Sequence, residues 1–504
     1  MPCSPPRREA VTLAVFRHIR GRNSPDGWPE ERPRCKLPDA PFMQAPIAMT
    51  DDPTLWPATR QALAIASGQL KSRDLMEAMI NRIDALSHVN AVVTTDFDDA
   101  RKRADEADAA VAQGGALPPL HGLPITIKDA LKTRGLRSTG GATQLANHLP
   151  DRDAPVVQAV KDAGAIIIGK TNLPEWSGDL QTYNTLFGTT GNPWNTDRVP
   201  GGSSGGAAAA VATGMTAFEI GTDIGGSIRF PASFCGVYGH KPSFGVVPST
   251  GYLDHSRGGI TEADINVIGP IARSADDLQL LLDLLRRRGP LTANLPQPRT
   301  EASNMRVAAW LDDAFCPIDG AVRDCLEAAV ARLEASGVHV DRSARPALDP
   351  LAASTLGMSL VGEAIMHDET PANPTSHHDW LHMDRERQSI RAAWHEFFGQ
   401  WDAVLMPVCF IPPFEHLQEG NFVTRTVLCN GAERPYSDLV RWTILTGMAY
   451  LPATVPPIGR TADGLPIGMQ VVSDYGRDLT TIYLGGFLGD LMGGFEAPPM
   501  VPVS

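Results

Sequence analysis

Hydrophobic side chains recur every three to four positions between residues 72 and 86, which is the spacing of an amphipathic helix. Six apolar residues share this predicted helical face: Leu75, Met76, Met79, Ile80, Ile83 and Leu86. Ser72 lies where the pattern begins, and we predict that it caps the helix, because a serine hydroxyl can accept a bond from the free N–H groups of the first turn. Apolar runs at 91–95 and 123–128 predict two strands, with a more polar helix over 98–112 between them.

The alternation of helix and strand patterns continues along the chain. The spacing predicts a helix over 156–162 and a buried strand at 165–168. A helix that begins at Ser274 is predicted to carry Arg286–Arg288 in its last turn. Further predicted elements are helices at 321–336 and 479–491 and strands at 306–311, 337–340, 451–455 and 467–472. Residues 345–435 show no clear period and are predicted to be irregular, while the alternation elsewhere is typical of an α/β fold.

Residues 1–48 differ from the rest of the chain. They are rich in proline and arginine and show neither a helical nor a strand period, which is typical of a disordered extension. Met49 comes just before the first regular pattern and is an alternative start of the protein. Beyond it the sequence shows no internal repeat and no clear linker, which predicts a single domain over 49–500.

Composition narrows the class of protein. The formal net charge of −13 argues against direct nucleic-acid binding, because such binding usually needs a basic surface. Charged residues interrupt every apolar run before it reaches 18 residues, so no membrane span is predicted. The seven cysteines are scattered and form no C-x-x-C pair, which favours a reducing cytoplasm over secretion. The histidines between residues 367 and 395 have no convincing metal-ligand spacing, so no metal site is predicted.

Two clusters of glycine and serine carry the candidate chemistry. The first is Gly201–Gly206, with the sequence GGSSGG, and the second is centred on Gly225, Gly226 and Ser227. A flexible linker could have the first sequence, but the helix-forming run Ala207–Val211 that follows argues against one. Glycines let the backbone approach a ligand closely, and the serines between them are candidate nucleophiles or hydrogen-bond donors.

Two short motifs match known patterns without the expected context. Gly164–Thr171 has the letters of a phosphate-binding loop, but its interior is Ile-Ile-Ile, which predicts a strand, and Pro174 stands where a helix should run. Gly202–Gly206 has the letters of the nucleophile elbow of α/β-hydrolases, which would make Ser204 the nucleophile with an unidentified downstream histidine as base. That elbow follows a strand, whereas residues 192–200 are polar and bracketed by proline. The elbow is kept as an alternative.

Lys128 closes an apolar β-rich run, and it is the best placed in such a run among the eight lysines of the chain. Burial disfavours the charged amine and lowers its pKa from about 10.4 by up to several units. A lysine made neutral in this way can act as a general base for a serine. The alternative is an exposed lysine, or one paired with its neighbour Asp129.

Three segments together resemble the amidase signature family: Gly122–Asp129, Gly201–Gly206 and Gly221–Pro231. Shorter supporting matches are Gly169–Asn172, Glu175, Asn192–Trp194, Phe234–Gly236, Lys241–Pro242 and Gly464–Gly468. The resemblance extends over about residues 55–495. It implies an α/β fold with a large mixed β-sheet core covered by helices on both sides, and an amidase that uses no cofactor and no metal.

The resemblance also implies roles for individual residues. Ser227 would attack the amide carbonyl, and Ser203, on a cis peptide bond after Gly202, would relay the proton between Ser227 and Lys128. The oxyanion hole would consist of four consecutive backbone N–H groups, those of Ile224, Gly225, Gly226 and Ser227. Supporting hydrogen bonds would come from Ser204, Thr222, Asp223 and Arg229.

The family uses one scaffold for aliphatic, aryl, fatty, peptide and cyclic amides. The resemblance therefore implies a small-molecule amide substrate, with the choice among classes made in variable regions near Trp176–Phe187 and 350–445. One branch is the A subunit of a tRNA-dependent amidotransferase, which releases ammonia from glutamine. That branch and a catalytically inactive scaffold are the two alternatives, and in each case the chain could form a homodimer.

Overall fold

The structure is a computed structural model that describes residues 52–255, 258–287, 295–299, 301–365 and 374–501. The extension predicted for 1–48 and the alternative start Met49 lie outside these residues. The described ranges contain twelve α-helices, which are α1 (Ala58–Ala66), α2 (Ser72–Ala85), α3 (Phe97–Gln113), α4 (Pro155–Asp162), α5 (Gly205–Thr213), α6 (Arg229–Cys235), α7 (Ala275–Leu285), α8 (Gly320–Ala335), α9 (Pro350–Ile365), α10 (His377–Phe398), α11 (Arg441–Gly447) and α12 (Asp478–Leu491).

Sixteen strands alternate with these helices in the described ranges. They are β1 (Val92–Thr95), β2 (Pro124–Lys128), β3 (Ile166–Thr171), β4 (Tyr183–Asn184), β5 (Gly188–Thr189), β6 (Glu219–Asp223), β7 (Tyr238–Lys241), β8 (Val267–Ala272), β9 (Arg306–Ala309), β10 (His339–Asp341), β11 (Ala403–Pro407), β12 (Thr426–Cys429), β13 (Ala432–Pro435), β14 (Ala453–Val455), β15 (Pro457–Arg460) and β16 (Pro466–Val472). The α/β class predicted from the sequence is confirmed.

A large sheet and a small sheet form the framework of the site. The large sheet has nine strands in the order β10-β9-β11-β16-β14-β7-β8-β6, with β15 paired to β16. It is mixed, because β9 runs parallel to β10 and β11 while β16, β14, β7, β8 and β6 join through antiparallel pairs. The small sheet has the order β1-β3-β2, with β2 and β3 parallel. The large mixed sheet was expected from the resemblance.

The helical pattern in residues 72–86 is confirmed, but the cap predicted for it is wrong. Leu75, Met76, Met79 and Ile80 of α2 are buried as the period required. Ser72 is the first residue of α2, and its hydroxyl donates to the carbonyl of Gly122 (2.5 Å) instead of capping the helix. The N–H groups of Ser72 and Arg73 are bound by the carboxylate of Asp108 in α3. A side chain from a neighbouring helix therefore does the work assigned to Ser72.

Helix α7 starts as predicted and ends earlier than predicted. The Ser274 hydroxyl accepts from the N–H of Asp277 (3.1 Å) and caps the helix. The last helical residue is Leu285, and Arg286 is the C-cap with an extended backbone. The prediction that Arg286–Arg288 form the last turn is therefore wrong, and Arg288 lies outside the described residues.

The region 345–435, predicted to be irregular, contains two of the longer helices. Helix α9 packs on α11 and α10, and β11 lies inside the large sheet between β9 and β16. Strands β12 and β13 form a separate hairpin. Among the helices that the structure describes, none has both the length and the apolar character needed to cross a bilayer.

Candidate active site

Three chain segments meet where the two sheets adjoin. Strand β2 ends at Lys128, the first glycine cluster leads into α5, and the second follows the end of β6 and leads into α6. Helix α5 contacts β2, β3, β6 and α6. All nine of its residues are buried, and its sequence GGAAAAVAT provides only small side chains. The small side chains let the three segments approach one another closely.

The amine of Lys128 is surrounded by hydroxyl groups. The side chain is fully buried, at 0% exposure. Its Nζ lies 2.6 Å from Ser203 Oγ, 2.7 Å from Thr222 Oγ1 and 3.0 Å from Ser204 Oγ. A neutral amine can donate two of these hydrogen bonds and accept the third through its lone pair. The site therefore accommodates the form of lysine that can take up a proton.

Burial lowers the pKa of the Lys128 amine to about 7, while the negative charges of Glu219 and Asp223 act in the opposite direction. The alternative of an exposed lysine paired with Asp129 is wrong. The Asp129 carboxylate accepts from the backbone N–H of Thr139 (3.1 Å), and the cation that acts on it is Lys170. Lys128 is left without a carboxylate in hydrogen-bond contact among the described residues.

The serines of the two clusters lie side by side. Ser203 and Ser204 are fully buried, whereas Ser227 retains 6% exposure. The backbone N–H of Ser204 donates to the carbonyl of Ser227 (3.2 Å), which joins the two loops directly. The peptide bond between Gly202 and Ser203 is cis, as expected from the resemblance. Of the three serines, Ser227 is the most accessible to a ligand.

Close backbone packing explains the glycines of the first cluster. A Cβ on Gly202 would lie 2.5 Å from the carbonyl carbon of Leu180, and one on Gly206 would lie 2.5 Å from the backbone nitrogen of Asn172. Contacts of this length do not occur for real side chains. The cluster is therefore a rigid packing element and not a linker.

The second cluster is held by a buried ion pair. Asp223 accepts from Arg229 Nε (3.0 Å) and Nη2 (2.9 Å), and both side chains are fully buried. The same carboxylate accepts from the backbone N–H groups of Gly226 (2.8 Å) and Ile228 (3.1 Å). Burial alone would raise the pKa of Asp223, but the charge of Arg229 outweighs it and the pKa is lowered. Asp223 and Arg229 thus support the loop, as the sequence suggested.

The oxyanion hole expected at residues 224–227 needs one correction. The N–H of Gly226 already donates to Asp223, so it is not free to bind a developing oxyanion. Within the described residues, no acceptor binds the N–H groups of Ile224, Gly225 and Ser227. Three of the four expected donors are thus available, and the fourth fixes the shape of the turn.

The alternative functions of the two short motifs lose their structural basis. Residues Ile166–Thr171 form β3, and Lys170 Nζ donates to the Leu131 carbonyl (2.6 Å) inside the protein, so no phosphate loop is present there. Ser204 is the N-cap residue of α5, and no strand precedes it between 192 and 200. The strand that a nucleophile elbow requires is therefore missing.

Two polar groups near the site escaped the sequence analysis. Glu219, the first residue of β6, is fully buried and binds the backbone N–H of Lys128 (3.1 Å). Asp179 binds Arg425 Nη1 (2.5 Å) and the hydroxyl of Tyr436 (2.7 Å), next to the segment that packs on Gly202. A single acidic residue inside the apolar run AFEIG was the available signal for Glu219, while Arg425 lies too far along the chain for any local pattern.

The described residues contain no cluster of three or more histidine, cysteine or acidic side chains that could hold a metal ion. His378 and His382 approach to 3.0 Å on the exposed face of α10, without a third ligand there. That the protein uses no metal stays a prediction. The side chains that meet at the glycine clusters are the serines, Thr222 and Lys128, and their chemistry is proton transfer and nucleophilic attack.

Comparison with known proteins agrees with this arrangement. The model of the Amidase family matches residues 74–369 and 351–482. The chain belongs to the amidase signature family. Its fold is shared with a bacterial aryl acylamidase of that family, whose crystal structure superposes with a TM-score of 0.74 at 25% identity, covering 87% of this chain and 96% of that one.

Two relatives show the range of names within the family. One of them, a glutamyl-tRNA(Gln) amidotransferase subunit from Moorella thermoacetica, is 38% identical over 288 residues, which cover 55% of this chain and 58% of that protein. The chain thus spans little more than half the length of this relative. An indoleacetamide hydrolase from Bradyrhizobium diazoefficiens is 31% identical over 449 residues, or 84% of each protein. Family membership leaves two specific functions, that of a hydrolase and that of an amidotransferase component.

Proposed function

We propose that the protein hydrolyses the C–N bond of a small carboxylic acid amide through an acyl-enzyme on Ser227. The observation that carries the proposal is the 2.6 Å hydrogen bond between Lys128 Nζ and Ser203 Oγ, inside a buried site next to Ser227. Serine activation without histidine needs an amine base that is neutral near physiological pH. Burial lowers the pKa of Lys128 to about 7, which meets that need.

In the first half-reaction, Ser227 Oγ attacks the amide carbonyl while its proton passes to Ser203 and the proton of Ser203 passes to Lys128. The carbonyl oxygen becomes an oxyanion that the N–H groups of Ile224, Gly225 and Ser227 stabilise. The same relay then returns the proton to the leaving nitrogen, the C–N bond breaks, and ammonia or an amine departs. Ser227 remains as an ester of the acid.

In the second half-reaction, water takes the place of the amine. The Lys128–Ser203 relay removes a proton from water as its oxygen attacks the ester carbonyl, and the proton is delivered to Ser227 Oγ when the ester bond breaks. The acid leaves and the starting state is restored. The Asp223–Arg229 pair keeps the donor loop in place throughout, because it neither gains nor loses a proton in the cycle.

The amide-hydrolysing relatives favour a hydrolase over an amidotransferase component. The indoleacetamide hydrolase matches 84% of this chain, and the aryl acylamidase matches 87%. A component of a tRNA-dependent amidotransferase is the second candidate, because a relative with that name is 38% identical over the matched half. A hydrolase releases acid from amides by itself, whereas the second candidate requires partner proteins and aminoacyl-tRNA for amide transfer. We further propose a single domain over 49–500 and a cytoplasmic location.

A fluorophosphonate probe tests the nucleophile. The expected result is one adduct on the peptide that contains Ser227, and no adduct in Ser227→Ala. Labelling of Ser204 instead would overturn the proposed relay, and absence of any adduct would favour an inactive scaffold. A panel of aliphatic, aryl and indole amides, with glutamine included, then separates the two candidates through the ammonia or amine released by the purified chain alone.

A further inference from the structure

Glu219 is a buried acidic residue that the mechanism above does not use. It is the first residue of β6 and pairs with Ile271 of β8 at the edge of the large sheet. Its side chain is fully buried. A carboxyl in such a place is costly unless hydrogen bonds satisfy it, so its partners indicate why it is there.

The partners of Glu219 belong to the small sheet. Oε2 accepts from the backbone N–H of Lys128 (3.1 Å) and from that of Ile220 (2.7 Å). Oε1 accepts from the Thr171 hydroxyl (2.7 Å) at the end of β3. One carboxyl thus ties β6 to the ends of β2 and β3, directly at the residue that carries the amine.

We propose that Glu219 is a positioning residue for Lys128: it fixes the end of β2 by accepting the Lys128 N–H, and its charge adjusts how readily the Lys128 amine holds a proton during the reaction. This inference rests on the function proposed above. When Glu219 is ionised it favours the protonated amine, and when it is neutral it favours the free base.

The other charged groups around the amine do not take this part. Asp223 also acts on Lys128, but its ion pair with Arg229 lowers its pKa and keeps it charged across the working range. Lys170 of β3 acts on Glu219 and faces Asp129, the residue after Lys128. The remaining cation near Asp223 is Lys241 of β7.

Glu219 is suited to respond near neutrality. Burial raises the pKa of its carboxyl to about 7, against the hydrogen bonds from Thr171 and Ile220, which lower it. The Lys128 amine titrates in the same range. Two interacting groups that titrate together share their protonation steps, so a change at one moves the apparent titration of the other.

Glu219→Gln tests the inference with little change in shape. The amide oxygen can accept from the N–H groups of Lys128 and Ile220, while the NH₂ group faces the Thr171 hydroxyl, which can accept. Without the charge of Glu219, Lys128 loses its proton at lower pH. The acidic limb of kcat/KM should therefore move to lower pH, and the ratio of activity at pH 6 to that at pH 9 should rise about three- to tenfold with KM unchanged.

A second variant and a control make the result decisive. Thr171→Val removes a donor to the Glu219 carboxylate, keeps Glu219 neutral to higher pH and should move the limb in the same direction by less. Asp277→Asn is the matched control, because Asp277 is a buried carboxyl that caps α1 through the N–H groups of Ala58 and Thr59. It should leave the limb in place.

The rate of fluorophosphonate labelling at Ser227 is measured over the same pH range. A shift in labelling and turnover together supports the inference. A uniform loss at every pH in Glu219→Gln, with no shift in Thr171→Val, overturns it and leaves the proposed function intact. Failure of wild-type protein to label at Ser227 overturns the proposed function itself.

Discussion

Two fully buried cations, Lys128 and Arg229, stand on either side of the same loop and have opposite kinds of partner. Arg229 donates to both oxygens of Asp223 and to the Thr443 carbonyl (2.8 Å). Lys128 forms its hydrogen bonds with hydroxyl groups, and no carboxylate is in hydrogen-bond contact with its amine in the described residues. One cation is held permanently charged, and the other is left able to lose its proton.

The difference shows that partner type decides what a buried cation can do. A guanidinium does not deprotonate in proteins, and a carboxylate beside it fixes both charges, so Arg229 and Asp223 form a constant part of the framework. An amine among hydroxyls is not stabilised enough as an ammonium to offset burial, so its pKa falls. The predictions that follow test this contrast from its largest consequence to its smallest.

Replacing Lys128 should have the largest effect. Lys128→Ala removes the base, and Lys128→Arg supplies a cation that cannot accept a proton, so both should lower kcat by about 10³-fold or more. Amide turnover at pH 8 measures this. An active Lys128→Arg protein would contradict the assignment of the base. Circular dichroism of both variants checks that the fold is kept.

Breaking the Asp223–Arg229 pair should mainly affect stability. Arg229→Met leaves Asp223 buried without its cation and should lower the free energy of unfolding by about 3 kcal/mol or more. Urea unfolding measures it. Arg103→Met is the control, because the Arg103–Asp99 pair is 55% and 49% exposed and should contribute less than about 1 kcal/mol. Equal losses in the two variants would show that burial gives the Arg229 pair no special weight.

The pH dependence of the wild-type enzyme should reflect the lowered pKa of Lys128. The amine is the free base above a pKa of about 7 and protonated below it, so kcat/KM should rise with pH on the acidic side and level off above neutrality. Between pH 6 and pH 8 the expected rise is about tenfold. A profile that keeps rising beyond pH 9 would indicate a lysine with an ordinary pKa.

Removing one hydroxyl partner should have the smallest effect. Thr222→Val deletes the hydroxyl 2.7 Å from Lys128 Nζ but leaves Ser203 and Ser204 in contact with the amine. We expect kcat to fall a few-fold, by about 1 kcal/mol in activation free energy, with KM unchanged. Steady-state kinetics measure the split. A loss as large as that of Lys128→Ala would give Thr222 a direct part in proton transfer.

The sequence predicted the parts of the site whose signal is local. Lys128 at the end of an apolar run and the serines between glycines are visible in a few consecutive residues. Glu219 was missed because its partner Thr171 is 48 residues away in sequence. The engagement of Gly226 by Asp223 was missed because four adjacent N–H groups look alike until the turn is built.

The helices missed in 345–435 have a different cause. Helix α9 is apolar around most of its circumference, so no polar face marks its period. Helix α10 has the opposite composition, and its buried face consists of Arg387, Trp394 and Phe397. Arg387 is buried through ion pairs with Asp264 and Asp384. A charged residue on the inner face hides a helical period that depends on apolar positions.

The tight backbone contacts of Gly202 and Gly206 have a consequence for how such a protein diversifies. Any side chain at either position would collide with main-chain atoms of residues 172–181, which cannot move aside as a flexible side chain could. In a library of random variants, survivors should therefore be depleted of changes in the first glycine cluster. They should accumulate changes in the β12–β13 hairpin, where Leu428 is 65% exposed. New substrate preferences would then arise by drift in that outer half while the catalytic half stays fixed.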